Sequence, residues 1–435
     1  MRRSAYLMAV MLSLGVGFFV GSTLQRDAKA REVDQYTRLD TFAQVLSHIE
    51  RNYVETVDSE KLVLGAVRGL VRALDPHSAY LTVEELKSLR DRTAGQFVGV
   101  GIELGVRDAS LMIIAPLPGG PAERAGLKAG DVILNVDDVS TKDWGIEDAI
   151  KALRGPEGST VRLGISRKGE PRPLEFILER QLVKLVSVEK SLLEPGYALI
   201  AVRSFASNIG FDVRQAYDEL VEQNGEALKG LVLDLRGNPG GLLREAVDLS
   251  NVFLESGLIV TTEGRGGLEL DRHEAKALRS HIETPLVVLI NGASASAAEI
   301  VAGALQDHKR AVLVGSRSFG KGSVQNIYDL EDGSGLKLTI ARYYTPSHRS
   351  IQGHGITPDI EAPDIELPLA AQDASLHEAD LPGALRGDGT APESKALGEE
   401  SSKSEAKAEQ ALRDYPLSLA LNQLKAHHIL SGAEQ

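Results

Sequence analysis

The chain has 435 residues, a formal net charge of −13 and no cysteine. That length allows two or three domains with sizeable cores, while the acidic balance argues against nucleic acid as the main partner. Without cysteine there is no thiol catalysis, no disulfide and no thiolate metal site.

Arg2 and Arg3 precede an uncharged apolar stretch over about 5–21, and "DAKA" (27–30) supplies an A-x-A-like cleavage site. Residues 1–30 therefore read as a signal peptide or a membrane anchor, the run being close to the roughly 20 residues that a span needs. In either case the rest of the chain is expected in the periplasm or cell envelope. Residues 31–94 form a helical region, in which Leu39, Phe42, Val45, Leu46, Ile49 and Tyr53 keep helical spacing and "SEKLVLGAVRGLVRAL" follows.

Residues 95–182 are glycine-rich and strand-like, with one helical stretch in "WGIEDAIKAL", and predict a compact β-rich module. Over 183–364 strands alternate with helices. "YALIAVRSF", "GLVLDLRG", "PLVVLING", "AVLVG" and "GLKLTIARYYT" read as strands, and helices are expected near 209–224, 241–255 and 296–307. Such alternation predicts an α/β core with a mixed, largely parallel sheet. An acidic tract at 365–410 reads as a flexible linker, and 411–435 as a helical tail with an apolar face.

"GSRSFGKGS" (315–323) follows an apolar run and looks like a phosphate-binding loop. A P-loop, however, requires Ser or Thr directly after the lysine and a helix starting at once. Gly322 occupies the hydroxyl position here, and "VQNIYDLEDGSG" breaks at a turn instead of forming that helix. Nucleotide hydrolysis is therefore not expected.

Three loops that each follow an apolar strand carry more information: "DLRGNPGG" (234–241), "NGASASAAEIVAGAL" (291–305) and "FGKGSVQ" (319–325). Such loops gather at the carboxyl ends of the strands of an α/β sheet, where sites form. A serine at a helix N-terminus sits where free N–H groups and the macrodipole stabilise an oxyanion. A lysine becomes a general base when burial or a like charge lowers its pKa from about 10.4. Together these point to a Ser–Lys hydrolase, a convergent variant of the serine triad. The competing explanation is an ordinary N-cap serine and a solvated turn lysine. The chemistry alone leaves Ser294, Ser296 and Ser323 open as nucleophile.

The motifs "DPHSAYL" (75–81), "DLRGNPGG", "SASAAEIVAGALQD", "FGKGSVQ" and "TIARYYTPSHRSIQGHGITPDI" resemble, in family order, those of the carboxyl-terminal processing peptidases, or tail-specific proteases, of peptidase family S41. The resemblance implies Ser296 as nucleophile, Lys321 as general base and Gln325 as the residue that orients the lysine. It implies oxyanion donors at the backbone N–H of Ala297 and of Gly240 or Gly241, and it leaves the choice of glycine open. It implies no cofactor. The histidines show no metal-ligand spacing. His348 stands where the family usually has glycine, which singles out the local turn.

The β-rich region resembles a PDZ domain, which in this family is inserted ahead of the protease core. "GVGI" (Gly99, Val100, Gly101, Ile102) suits its carboxylate-binding loop, and the helix near 146–153 would line the groove. The ligand expected there is a flexible, apolar carboxyl terminus of an envelope protein. Relatives also suggest homo-oligomers built through the helical ends and a helical-repeat lipoprotein adaptor. The reading of a different class is a PDZ scaffold without catalysis, against which the intact Ser, Lys and Gln argue.

Overall fold

The computed structural model describes residues 39–107, 110–277, 280–365 and 413–432. The expectations for 1–30 and for the acidic tract lie outside these residues. The described chain divides into two units between Tyr80 and Leu81.

The first unit carries a helix over 39–52 (α1) and α2 (Ser59–Arg72). Asp58 starts α2 by accepting from the backbone N–H groups of Glu60 and Lys61, which would otherwise lack acceptors. β1 (Ala79–Leu81) straddles the division.

In the second unit, α3 (Val83–Thr93) opens with a capping box. Thr82 Oγ1 accepts from the Glu85 amide, and the Glu85 carboxylate accepts from the Thr82 amide. The β-rich module comes after it. β2 (Gln96–Gly99) enters it and pairs antiparallel with β9 (Gln181–Lys184), so the module leaves where it began, as an insertion does. Between them lie β3 (Ile102–Arg107), β4 (Ser110–Pro116), α4 (Pro121–Arg124), β5 (Val132–Val136), β6 (Val139–Ser140), α5 (Ile146–Leu153), β7 (Thr160–Ser166) and β8 (Leu174–Glu179). The sheet runs β3-β4-β5-β7-β8, which leaves β3 as an edge. Ile113, Ile133, Leu163, Ile165 and Ala149 fill its separate core.

The α/β core contains β10 (Val188–Glu194), β11 (Tyr197–Val202), α6 (Ile209–Asn224), β12 (Gly230–Asp234), α7 (Leu243–Phe253), β13 (Leu258–Glu263), β14 (Glu269–Glu274), β15 (Leu286–Ile290), α8 (Ala297–Asp307), β16 (Ala311–Gly315), β17 (Ser323–Asp329), β18 (Gly335–Tyr344), β19 (Ile360–Glu361) and α9 (Tyr415–Gly432). The main sheet has the order β10-β11-β12-β15-β16-β19, parallel throughout except at β10. Its inner strands β11, β12, β15 and β16 are apolar on both faces, because both faces are covered. Leu231, Leu233, Val288 and Leu313 pack with α6, α7 and α8 on one side. Val232, Val287, Leu289 and Val314 pack beneath Leu417, Ala420, Leu421 and Leu424 of α9 on the other. The tail is thus a layer of the α/β core.

One strand departs from the sequence expectation. "GLKLTIARYYT", taken as part of the parallel core, is β18 of a second sheet, antiparallel to both β13 and β17. Alternation along a strand reports which face is covered and does not identify the strand beside it.

Candidate active site

β15 ends at Ile290, and the chain turns through Asn291–Ala295 before α8 begins at Ala297. Ser296 is the N-cap of that helix. Its φ of 55° and ψ of −113° are unusual for any residue but glycine. Such a conformation costs on the order of 1–3 kcal/mol and persists only where the surroundings enforce it. The other two serines have structural duties. Ser294, fully buried, donates from Oγ to Leu235 O at 2.8 Å and accepts from Asn291 N. Ser323 Oγ accepts from Gln325 Nε2 at 2.8 Å.

Beside Ser296 lies Glu299, one turn into α8 and without solvent exposure. Its Oε2 accepts from the Ser296 amide and from the Lys321 amide, each at 2.8 Å. Its Oε1 accepts from Gly320 N at 2.7 Å and from Ser318 Oγ at 2.6 Å. One carboxylate therefore joins the backbone of the serine to that of the lysine loop.

The glycines around Lys321 serve close packing, not phosphate. A methyl group at Gly322 would lie 2.3 Å from Gln352 N, and one at Gly320 would lie 3.1 Å from Gly355 N. The loop is pressed against the 351–355 segment, and Gly322 N donates to Gln352 Oε1. The loop leads into strand β17, where a P-loop would place a helix. Lys321 is half-buried, and among the described residues its ammonium has no hydrogen-bond partner. Burial pushes its pKa below the usual lysine range. The positive charge of Lys337 pushes in the same direction, and the Glu299 carboxylate opposes both.

The "NPGG" turn faces the serine. Asn238, fully buried, donates from Nδ2 to Val202 O and accepts from the Gly240 amide at 2.8 Å. Its own carbonyl accepts from Ala295 N. The Gly240 amide is thus occupied, whereas among the described residues the N–H groups of Gly241 and Ala297 have no acceptor. A side chain on Gly240 would sit 2.7 Å from Ser296 Cβ and 3.0 Å from Ala297 N. Gly240 therefore packs directly against Ser296, where only a residue without a side chain fits. Gln325, expected to orient the lysine, instead directs its amide nitrogen to Ser323 Oγ and, at 3.4 Å, to Thr339 Oγ1.

The profile of peptidase family S41 matches residues 196–362, which contain all of these groups. A carboxy-terminal-processing protease of Bartonella bacilliformis is 39% identical over 380 residues, spanning 85% of this chain and 87% of its own. The chain belongs to peptidase family S41. Another relative of this S41 peptidase is the carboxy-terminal processing protease CtpA of Bacillus subtilis, 33% identical over 350 residues, with 79% and 74% of the two chains covered. Among solved structures, the photosystem II D1 C-terminal processing protease shares 33% identity at a TM-score of 0.45, over 74% of this chain and 92% of its own. A PDZ profile matches residues 112–167, and that of the activating protease CtpB N-terminal domain matches 19–85. The S41 peptidase is accordingly a serine-type hydrolase with a PDZ domain.

In that domain Gly99 ends β2, Gly101 has a φ of 71° and Ile102 begins β3. The side chain of Val100 turns inward and is buried in the module's core. The carbonyls of Val100 and Gly101 accept from Ala122 N and Leu117 N, while among the described residues the amides of Val100 and Gly101 have no acceptor. Two adjacent N–H groups without acceptors are what an anion nest requires. A PDZ peptide groove would lie between edge strand β3 and α5, where Ile102 and Leu104 are partly buried and Ile146 and Ile150 are exposed.

His348 occupies its glycine-like position in a glycine-like conformation, at a φ of 60°. Its ring stacks on Tyr344 at 4.8 Å, and its Nε2 lies 3.6 Å from Glu263 Oε1. Among the described residues no cluster of His, Asp and Glu is arranged to hold a metal ion, and no helix is long and apolar enough to cross a membrane.

Proposed function

We propose that this chain is an exported serine endopeptidase that captures the apolar carboxyl terminus of an envelope protein in its PDZ groove and cleaves it with a Ser296–Lys321 dyad. The observation that carries the proposal is a strained serine at a helix N-terminus, joined through one buried carboxylate to the loop of a desolvated, unpaired lysine. In the proposed reaction Ser296 Oγ attacks a peptide carbonyl as Lys321 Nζ takes its proton. The N–H groups of Ala297 and Gly241 receive the oxyanion. Collapse expels the amine, which takes the proton from Lys321, and leaves an ester on Ser296. Water, deprotonated by the same lysine, then releases the acid. Gln325 enters this scheme through Ser323 and Thr339, fixing the β17–β18 face on which Lys337 lies. The nest amides and the aliphatic groove favour an extended peptide ending in apolar residues. Export rests on the charged, then apolar, first thirty residues. Association through the helical ends belongs to the same proposal, since Phe42, Val45, Leu70 and Leu74 are exposed. So does recruitment by a helical-repeat lipoprotein adaptor.

The test is cleavage, followed by mass, of an unfolded reporter ending in aliphatic residues by the full chain and its Ser296→Ala and Lys321→Ala variants. Products from the parent alone are expected, whereas equal products from all three would overturn the dyad. A second expectation concerns the groove. Ile150→Asp should weaken binding of a labelled peptide with an aliphatic end at least about tenfold, since burying such a side chain contributes about 1.5–3 kcal/mol. Unchanged affinity by fluorescence polarisation would place the peptide elsewhere.

A further inference from the structure

The reaction scheme gives no role to the buried carboxylate of Glu299. Glu299 is fully enclosed, and its two oxygens accept four hydrogen bonds of 2.6–2.8 Å. Such a carboxylate is costly to bury unless every lone pair is used, and here the donors come from three separate places. One is the amide of Ser296, another the Gly320–Lys321 backbone, and the third the hydroxyl of Ser318. Ser318 also accepts from Ile356 N at 2.6 Å, which ties in the 351–356 segment. An ordinary capping box satisfies only its own helix end. This one extends to a loop more than twenty residues downstream.

We propose that Glu299 is the positioning residue of the dyad: its carboxylate holds Ser296 in its strained conformation and sets the Lys321 loop against it, without touching substrate. The proposal rests on the Ser296–Lys321 reading. Glutamine is the informative substitution, because it keeps the size and reach of glutamate. It has only one acceptor oxygen, so its NH₂ group must face backbone donors on one side. The carboxylate also has an electrostatic effect that a purely structural part would lack. Its charge favours protonated Lys321, opposing burial and Lys337. Removing that charge should shift the pH at which Lys321 loses its proton downward.

The experiment compares full-length parent, Glu299→Gln, Ser318→Ala, Ser296→Ala and Lys321→Ala on one internally quenched peptide across pH, with thermal melting of each. Glu299→Gln is expected to lower plateau kcat about thirtyfold or more with KM within about threefold, and to move the acid limb of the rate profile to lower pH. Ser318→Ala, which removes one of the four donors and leaves the charge, should cost about three- to tenfold with the limb in place. It also tests the idea independently should the glutamine variant fold poorly. Plateau rates of both variants within threefold of the parent, beside inactive Ser296→Ala and Lys321→Ala, would overturn the positioning role and leave the dyad standing. A loss matched by the unfolded fraction, with the limb unmoved, would overturn it equally. Activity in Ser296→Ala or Lys321→Ala would instead overturn the dyad itself.

Discussion

Lys321→Arg is expected to lower kcat/KM for peptide cleavage about 10⁴-fold or more at pH 8, the size of loss seen when a catalytic base is removed. Charge and hydrogen-bonding capacity are both retained in this variant. The ability to exist unprotonated is lost, because a guanidinium holds its proton beyond pH 12. Lysine at 321 differs because burial first, and Lys337 second, depress its pKa below the usual 10.5. The parent rate should therefore rise with pH through an inflection below that value, and Lys337→Met, by removing the like charge, should move the inflection upward. The same depression acts on stability. Between the folded and unfolded pKa the unfolded chain binds more protons, so stability falls as pH drops through that window. Lys321→Met should thus melt above the parent at pH 6, with the difference vanishing near pH 10.5. An arginine variant keeping more than about a hundredth of parental activity would exclude a proton-accepting role for this position.

Gly240→Ala is expected to reduce kcat by about 10²–10³-fold or more, the size of effect produced by loss of one oxyanion donor. The added methyl group would lie 2.8 Å from Ala295 O as well as against Ser296 and Ala297 N, at a φ of 96°. It would fill the space in which the tetrahedral oxygen develops, and it would strain the turn by about 1–3 kcal/mol. Gly237→Ala is the natural control. It lies in the same loop at a φ of 70°, but nothing stands within 4 Å of its added methyl. That change should destabilise by about 1 kcal/mol and leave kcat within a few fold. Similar kcat values for the two alanine variants would show that backbone strain, and not the occupied space, governs the loss.

Much of the core could be read in advance because its elements are locally determined. The helix expected at 209–224 runs from Ile209 to Asn224, and the strands flanking it are unbroken apolar runs. The serine and lysine stood out because the loops carrying them are crowded with small residues. Glu299 was equally visible as the fourth residue of a Ser-x-x-Glu pattern, yet a capping box reads as local chemistry and conceals a partner at 318–321. That the Gly240 amide is occupied, while among the described residues that of Gly241 has no acceptor, could not be read at all. It depends on the side-chain oxygen of Asn238, whose direction is fixed by a carbonyl at Val202, thirty-six positions earlier. The sheet containing β18 was hidden for a related reason, since its neighbours are set by long-range pairing.

Arg236, in the "DLRG" segment, donates to both carboxylate oxygens of Asp234 and of Asp414, and lies 3.5 Å from Asp364. Tyr415 N also donates to Ile365 O. Residues 364–365 and 414–415 thus meet at the same arginine. Since α9 covers one face of the main sheet and Asp414 is held by Arg236, separately produced 1–365 and 413–435 pieces are expected to reassemble as a two-chain protein.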